Sequence, residues 1–372
     1  MCVSKTKQIV LIGPLLRNLV NFRGELIEKL ILEGNNVTLV SSDAASDNPL
    51  MPKGTNGYIV EVDRRGTKAI KDFKQILAYY NILKRTKPDV VLLYTTKCAI
   101  YAGMACRWLN IPYIVNNSGL IDMSTMRKPV EHILRILYKV GYGGASCMMY
   151  QNNYERNYLN GILGKDIRYI DIPGSGVNLE KFQYTLYPSQ DDGIIFNYVA
   201  RIAKFKGIEE YLECARRIHT KYPNTRFRIY GNYEESGYKD IIDVLSNKKI
   251  VEYKGRKQYM IPEIASCHAV IHPSHYEGLT NVILEHGAMG RVCIASNIPG
   301  CKEAITNSVT GYLFPMGDVD TLVDVVEKFI NQPHHKKVEM GLLARAKMEK
   351  EFDRKMVTQI YLNEIKRILK TK

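Results

Sequence analysis

The sequence predicts an α/β protein made of two doubly wound parallel sheets. Three observations carry that reading. Short β-branched runs alternate with helix-periodic segments along the chain. The alternation breaks once, at "YPSQDDG" (187–193), and then restarts. A length of 372 residues is enough for two domains that each bury a core of their own.

In the first half, "QIVLIG" (8–13), "NVTLVSS" (36–42), "GYIVEV" (57–62), "DVVLLYT" (89–95) and "PYIVNN" (112–117) read as strands. The segments between them carry apolar residues at helical spacing, as in "LIEKLILEG", where Gly34 supplies a C-terminal stop. The second half repeats the order with "IIFNYVA", "TRFRIYG", "HAVIHPS", "RVCIAS" and "TGYLF". The Pro, Ser, Asp and Gly content near 187–193 marks the hinge, which gives domains of 1–186 and 187–352. The amphipathic segment 353–372 reads as a terminal helix that packs back on the first domain.

Composition is that of an ordinary globular chain, with 45% hydrophobic and 24% charged residues. No apolar run approaches the roughly 18–20 residues that a spanning helix needs. "KTKQIVLIGPLL" imitates a signal peptide but is short, is broken by Pro14 and lacks a cleavage pattern, so it reads as a first buried strand of a cytoplasmic protein. The eight cysteines show no C-x-x-C pairing and read as reduced, buried, small apolar residues. A net charge of +14 favours a polyanionic partner: a nucleic acid, an anionic membrane surface or a phosphorylated ligand.

In sheets of this kind ligands bind beyond the carboxyl ends of the strands. The first strand ends in "GPLLRNLVNFRG", where Gly13 permits either a tight turn or close approach of a ligand to the backbone. The strand 194–200 runs into "RIAKFKG". Arg201 and Lys206 either solubilise that loop or contact phosphate oxygens at the following helix start. In "HPSHYEGLTNVILEHGAMG" (272–290), a strand end leads through Glu277-Gly278-Leu279 into a helix beginning near Thr280 or Asn281. The free amides of that first turn make an anion site. Glu277 and Glu285 are either ordinary surface acids or acceptors for the hydroxyls of a ribose and a sugar. His272, His275 and His286 have no acidic neighbour at metal-ligand spacing, and Asp191-Asp192 and Asp318/Asp320 read as turn and cap acids. No metal site is expected.

"VARIAKFKG" (199–207), "YEGLTNVILEHGAMGRVCIASNIPGCKEAI" (276–305) and "TGYLF" (310–314), in that order, resemble the retaining glycosyltransferases of family 4. "KPDVVLLYTTK" and "SGVNLEKF" (175–182) fit the same pattern, and the likeness spans the chain. It points towards enzymes that build bacterial surface glycans such as capsule, on undecaprenyl diphosphate. The resemblance implies the GT-B fold, two Rossmann-like domains facing a cleft, and a UDP-sugar donor with no cofactor. It implies that Arg201 and Lys206 hold the donor diphosphate, that Glu277 contacts the donor sugar and that Glu285 holds the ribose. Gly278, Leu279 and Thr280 would offer amides, Gly255 and Arg256 would contact the base, and Gly13 would lie under the phosphates. Many members carry His-Gly where this chain has Asn117-Ser118 before Gly119, and the resemblance gives neither residue a role.

Two rival functions have distinct signatures. A sugar-nucleotide epimerase of the same fold needs matched acid and base residues, and no such set stands out. A nucleic-acid binder needs basic residues interleaved with exposed aromatics on one face. Most of the 25 tyrosines fall instead within strand or helix patterns, so no nucleic-acid partner is expected. The helix "STMRKPVEHILRILYKVGY" (124–142) carries Arg127, Lys128, Arg135 and Lys139 beside Ile133, Leu134, Ile136, Leu137 and Tyr138. It reads either as a core-packed helix or as a peripheral contact with an anionic membrane.

Overall fold

The computed structural model describes residues 6–62, 69–117, 127–164, 167–191 and 193–370. Two compact units emerge, one of Met1–Ser175 with Lys355–Lys372 and one of Gly176–Arg354. The division falls at Ser175, ahead of the turn-rich 187–193 segment. Residues 185 and 186 are tied into the second unit by Arg291, whose guanidinium donates to the carbonyls of Thr185 and Leu186.

The first unit holds seven strands: β1 (Gln8–Ile12), β2 (Asn36–Ser41), β3 (Thr55–Ile59), β4 (Val90–Tyr94), β5 (Tyr113–Asn116), β6 (Cys147–Tyr150) and β7 (Tyr169–Asp171). All pair in parallel, in the order β3-β2-β1-β4-β5-β6-β7. β4, "VVLLY", is buried along its whole length, as a central parallel strand covered on both faces must be. One face packs Tyr79, Tyr101, Tyr138 and Tyr142 from three helices, and the other packs Leu19, Leu26 and Leu30. The last helix, Arg354–Lys370, closes this second face with Val357, Tyr361, Leu362, Ile365 and Ile368.

The second unit holds β8 (Ile194–Val199), β9 (Thr225–Tyr230), β10 (Val251–Tyr253), β11 (Ala269–His272), β12 (Val292–Ser296) and β13 (Gly311–Phe314). They are parallel in the order β10-β9-β8-β11-β12-β13. In both units the first strand lies inside the sheet, and the chain winds outward from it in each direction. The topological switch therefore falls between β1 and β4 in one unit and between β8 and β11 in the other.

The ten strands expected from sequence are present. The three others escape pattern reading for physical reasons. β6 is "CMMY", buried but without β-branched residues, and β7 and β10 are three-residue strands at sheet edges. Among the described residues no helix is long and apolar enough to cross a membrane. The seven described cysteines are free and buried.

Candidate active site at the switch point of the second sheet

β8 and β11 are neighbours, and the loops that leave their carboxyl ends are stitched together. The amide of His275 donates to the carbonyl of Phe205 at 3.0 Å. Gly207 has φ +72°, and a Cβ there would meet the Pro273 carbonyl oxygen at 2.0 Å. Only glycine permits this approach. The same device recurs one strand over. Gly300, after β12, has φ +90°, and its Cβ would meet the Gly278 oxygen at 2.3 Å. The Glu277-Gly278 corner is thus held between the loops that follow β8 and β12.

The basic loop 201–207 is closed from beneath by Tyr198. Its buried hydroxyl lies 3.2 Å from the carbonyl oxygen of Arg201 and 3.1 Å from that of Lys206. Sequence reasoning gave Tyr198 no part, since in the run "IIFNYV" it reads as one more core residue. The hydroxyl fixes both ends of a turn whose side chains then diverge.

Lys206 reaches Glu277, with Nζ 2.6 Å from Oε1. His272, the last residue of β11, brings Nε2 to 3.0 Å from the same oxygen. Burial opposes ionisation of Glu277, but the His272 hydrogen bond and the Lys206 ammonium outweigh it and hold the carboxyl at about 2. His272 thus has a site role, beyond the strand-end histidine expected from sequence. Arg201 pairs with Glu234 in the loop after β9 and lies over the Phe205 ring, 5.1 Å from its centroid. Its side chain is 57% exposed, so the guanidinium can change partners at small cost. Both cations thus have carboxylate partners, Glu234 for Arg201 and Glu277 for Lys206. Basic side chains beside a helix start oppose its dipole, and here Glu209 and Glu210 in the first turn of the helix Ile208–Lys221 offset that opposition.

The helix after the Glu277 corner runs Asn281–Ala288, with Thr280 at its N-cap and no side-chain hydrogen bond to the first-turn amides. Those amides and the helix dipole suit an anion. Glu285 lies one turn inside this helix. Burial raises its carboxyl to about 7, against the opposing pull of Arg354 and Lys181. Such an acid is ready to accept hydroxyl hydrogens that offset its desolvation.

Arg201, Lys206, Glu277, Gly278, Leu279, Thr280 and Glu285 all belong to this switch region. Gly255 and Arg256 follow β10, at the sheet edge, where the Gly255 carbonyl accepts from the Gly231 amide at 3.2 Å. Gly255 has φ +65° and Arg256 is exposed. Gly13 belongs to the first unit, where it follows β1 and donates its amide to Val40 at 3.0 Å. Its Cβ would meet the end of the Leu19 side chain at 2.8 Å, a contact that a shift of that side chain can relieve. Asn117 is buried after β5, with Oδ1 accepting from the Tyr142 hydroxyl, whereas Ser118 and Asp192 lie outside the described residues. His275 pairs with Glu210 at 2.6 Å, and His286 is bound to the Val282 carbonyl and depressed by burial to about 3. Among the described residues no cluster of His, Cys, Asp and Glu could hold a metal ion.

Two family models match the chain. The model of glycosyl transferases group 1 covers residues 186–347, and that of the glycosyl transferase 4-like family covers residues 16–152. The chain is 23% identical to the N,N'-diacetylbacillosaminyl-diphospho-undecaprenol alpha-1,3-N-acetylgalactosaminyltransferase of Campylobacter jejuni, over 94% of this chain and 96% of that one. It is 25% identical to the UDP-Gal:alpha-D-GlcNAc-diphosphoundecaprenol alpha-1,3-galactosyltransferase of Escherichia coli, over 84% of each. Among solved structures, sucrose-phosphate synthase from Thermosynechococcus elongatus superposes with a TM-score of 0.81 at 16% identity, covering 98% of this chain and all of that one. Anabaena HepE in complex with UDP and glucose gives 0.76 at 15% identity, over 97% of this chain and all of HepE. At these identities the structural likeness speaks for the GT-B fold alone.

Proposed function

We propose that this chain, whose second unit matches the model of glycosyl transferases group 1 and whose first matches that of the glycosyl transferase 4-like family, moves a hexose or N-acetylhexosamine from a UDP-sugar to a glycan carried on a lipid diphosphate, with retention of configuration and without a metal ion. The observation that carries this reading is the convergence of Lys206 and Glu277, and of the uncapped helix start at Asn281, on the β8/β11 switch. The relatives from Campylobacter jejuni and Escherichia coli, both named for undecaprenol-linked acceptors, support the choice of acceptor.

In this mechanism the bond between the anomeric carbon and the diphosphate oxygen breaks, and its electron pair leaves with the diphosphate. Arg201, Lys206 and the first-turn amides at Asn281 stabilise the charge that develops there. Lys206 leaves Glu277 for a phosphate oxygen, and Glu277 turns to the hydroxyls of the donor sugar. Glu285 accepts from the ribose hydroxyls. The acceptor hydroxyl adds to the anomeric carbon from the face that the diphosphate leaves, and its proton passes to a diphosphate oxygen. No side-chain base is required. The protein acts at the cytoplasmic face of the membrane, as a peripheral partner of an anionic surface in the synthesis of a surface polysaccharide.

A screen of UDP-, GDP- and TDP-sugars for released nucleotide, with and without a synthetic diphosphate-linked glycan acceptor, tests the reading. UDP release stimulated by acceptor is expected. Release from another nucleotide would change the donor, and no release from any would remove the proposal.

A further inference from the structure

Arg23 lies in the helix Leu16–Leu32 of the first unit and is only 5% exposed. Its one hydrogen bond runs from Nη1 to the carbonyl of its neighbour Phe22, at 2.8 Å. Its Nε is buried without a partner, and among the described residues no carboxylate pairs with it. Arg291, buried in the second unit, behaves differently. It donates to the carbonyls of Ile264, Thr185, Met289, Leu186 and Ala265 and to the Thr185 hydroxyl. That is how a guanidinium is satisfied when its role is to brace the fold.

Two tyrosine rings lie beside Arg23. Its guanidinium carbon lies 5.0 Å from the centre of the Tyr94 ring and 5.2 Å from that of Tyr361. The Tyr94 hydroxyl is also buried, beside the Tyr361 hydroxyl and the Arg23 guanidinium but with no hydrogen bond of normal geometry to either. Behind it, Gln151 donates to Asn116 at 3.3 Å, and Asn116 donates to the Tyr361 hydroxyl. Tyr94 ends β4, Asn116 ends β5 and Gln151 follows β6, so the group lines the carboxyl edge of the first sheet beside its β1/β4 switch. A buried cation and an unpartnered hydroxyl, with no acid among the described residues to answer them, are complementary to an anion.

We propose that Arg23 and Tyr94 form an anion-binding site in the first unit that takes a phosphate group of the acceptor. The guanidinium fork engages two phosphate oxygens and the Tyr94 hydroxyl donates to another, while the two rings flank the cation. Identifying the anion with the acceptor's diphosphate rests on the proposed reaction. The existence of the anion site does not.

The full chain carrying Arg201→Ala and Lys206→Ala, which removes the cations of the second unit, is melted with and without inorganic pyrophosphate. Pyrophosphate is expected to raise its Tm, and adding Arg23→Met is expected to abolish the rise. No rise, or a rise that survives Arg23→Met, overturns the site. On the otherwise unmodified chain, KM is compared for one glycan on a diphosphate lipid and on a neutral alkyl linker. Arg23→Met should increase the ratio of the two KM values at least tenfold, and Arg23→Lys, which keeps the charge but loses the fork, should fall between. If Arg23→Met does not fold, Arg23→Lys carries both comparisons. A role confined to bracing the last helix would lower Tm and shift both KM values together. Pyrophosphate binding with an unaltered KM ratio would keep the anion site and refute its assignment to the acceptor. If the chain glycosylates no diphosphate acceptor, the proposed reaction fails and the melting experiment alone decides.

Discussion

Lys206 Nζ and Glu277 Oε1 lie 2.6 Å apart at the carboxyl ends of β8 and β11. The residue suited to phosphate and the residue suited to sugar hydroxyls are therefore partners of each other before any ligand arrives. A partly buried pair of this kind holds each side chain in place.

The first prediction concerns this coupling. Lys206→Ala should lower kcat by about 10²–10³, the scale seen when one donor to a developing oxyanion is lost. Glu277→Gln should lower kcat more than it weakens UDP binding, since its partner is the sugar rather than the nucleotide. The double variant should lose less than the product of the two, because each single change already breaks the shared contact. Additive losses, measured by nucleotide release, would mean that the pair is incidental. Glu277 is held at about 2, so the stability it contributes is present above the ordinary carboxylate range and lost only as pH falls through about 2. The kcat/KM profile, which reports the free enzyme, should therefore show no limb from Glu277 between pH 5 and 9.

A second prediction tests the backbone contact that positions the lysine. Gly207→Ala must place a Cβ 2.0 Å from the Pro273 carbonyl oxygen at φ +72°. It should destabilise the chain by about 2 kcal/mol or more and reduce turnover with it. Gly237→Ala is the control, because a Cβ there meets nothing within 4 Å. Chemical denaturation of both variants provides the comparison, and similar midpoints would show that the two loops are not locked together.

A third prediction concerns Glu285, whose carboxyl burial raises to about 7. An acid with a raised folded pKa binds more protons in the native than in the unfolded state between about 4.5 and 7. Its contribution to stability therefore falls as pH rises through that window, and Glu285→Gln should flatten that part of the Tm profile. The same variant should weaken UDP binding about tenfold while changing kcat little, because a ribose contact is made equally in the ground and transition states. Calorimetric titration with UDP at pH 8 reads the affinity. If Glu285→Gln and Glu277→Gln have the same effect on every parameter, the two acids do not divide the donor between them.

A fourth prediction is that turnover survives EDTA. The site offers cations and helix amides at the leaving group, and the described residues supply no cluster of metal-binding side chains. Loss of activity on chelation, restored by magnesium or manganese, would refute it.

Much of the site was legible because its devices are local. "KFKG" before a helix and "EGLTN" after a strand reveal a turn, a helix start and their charges. What stayed hidden depends on distant partners. Glu234 meets Arg201 only because β9 lies beside β8, and Tyr198 matters only because the loop folds back over its own strand. The unanswered charge of Arg23 is likewise invisible in "NLVNFRG", since a sequence does not show which arginine lacks an acid. The break at 187–193 and the division of the compact units at Ser175 differ for the opposite reason. Turn composition marks a loop, whereas the hydrogen bonds of Arg291 decide which unit the preceding residues join.

The last prediction concerns the helix Lys128–Tyr142. Leu134, Leu137 and Tyr138, which the sequence reading named together with Ile133 and Ile136, face the core of the first unit. Val130, Ile133, Ile136 and Val140 are exposed instead, Ile133 by 57%. Their spacing of three or four makes one outward apolar stripe. Beside it, also at intervals of three or four, run Lys128, His132, Arg135 and Lys139, and among the described residues only Arg135 of these has an acidic partner, Glu131. Residues 124–126 of the predicted segment lie outside the described residues. An apolar stripe bordered by basic side chains suits the surface of an anionic bilayer, where each nearby Lys or Arg contributes about 1 kcal/mol. Salt-sensitive sedimentation with phosphatidylglycerol vesicles is therefore expected, with little binding to phosphatidylcholine. Charge reversal at Arg127, Lys128, Arg135 and Lys139 should abolish it, and Ile133→Ser with Ile136→Ser should weaken what remains at high salt. Both sets of changes lie on the first unit, whereas the β8/β11 residues proposed to act on the donor belong to the second, so release of UDP in detergent solution should continue. A wild-type chain that ignores anionic vesicles even at low salt would show that this stripe has another partner and that the acceptor reaches the protein in solution.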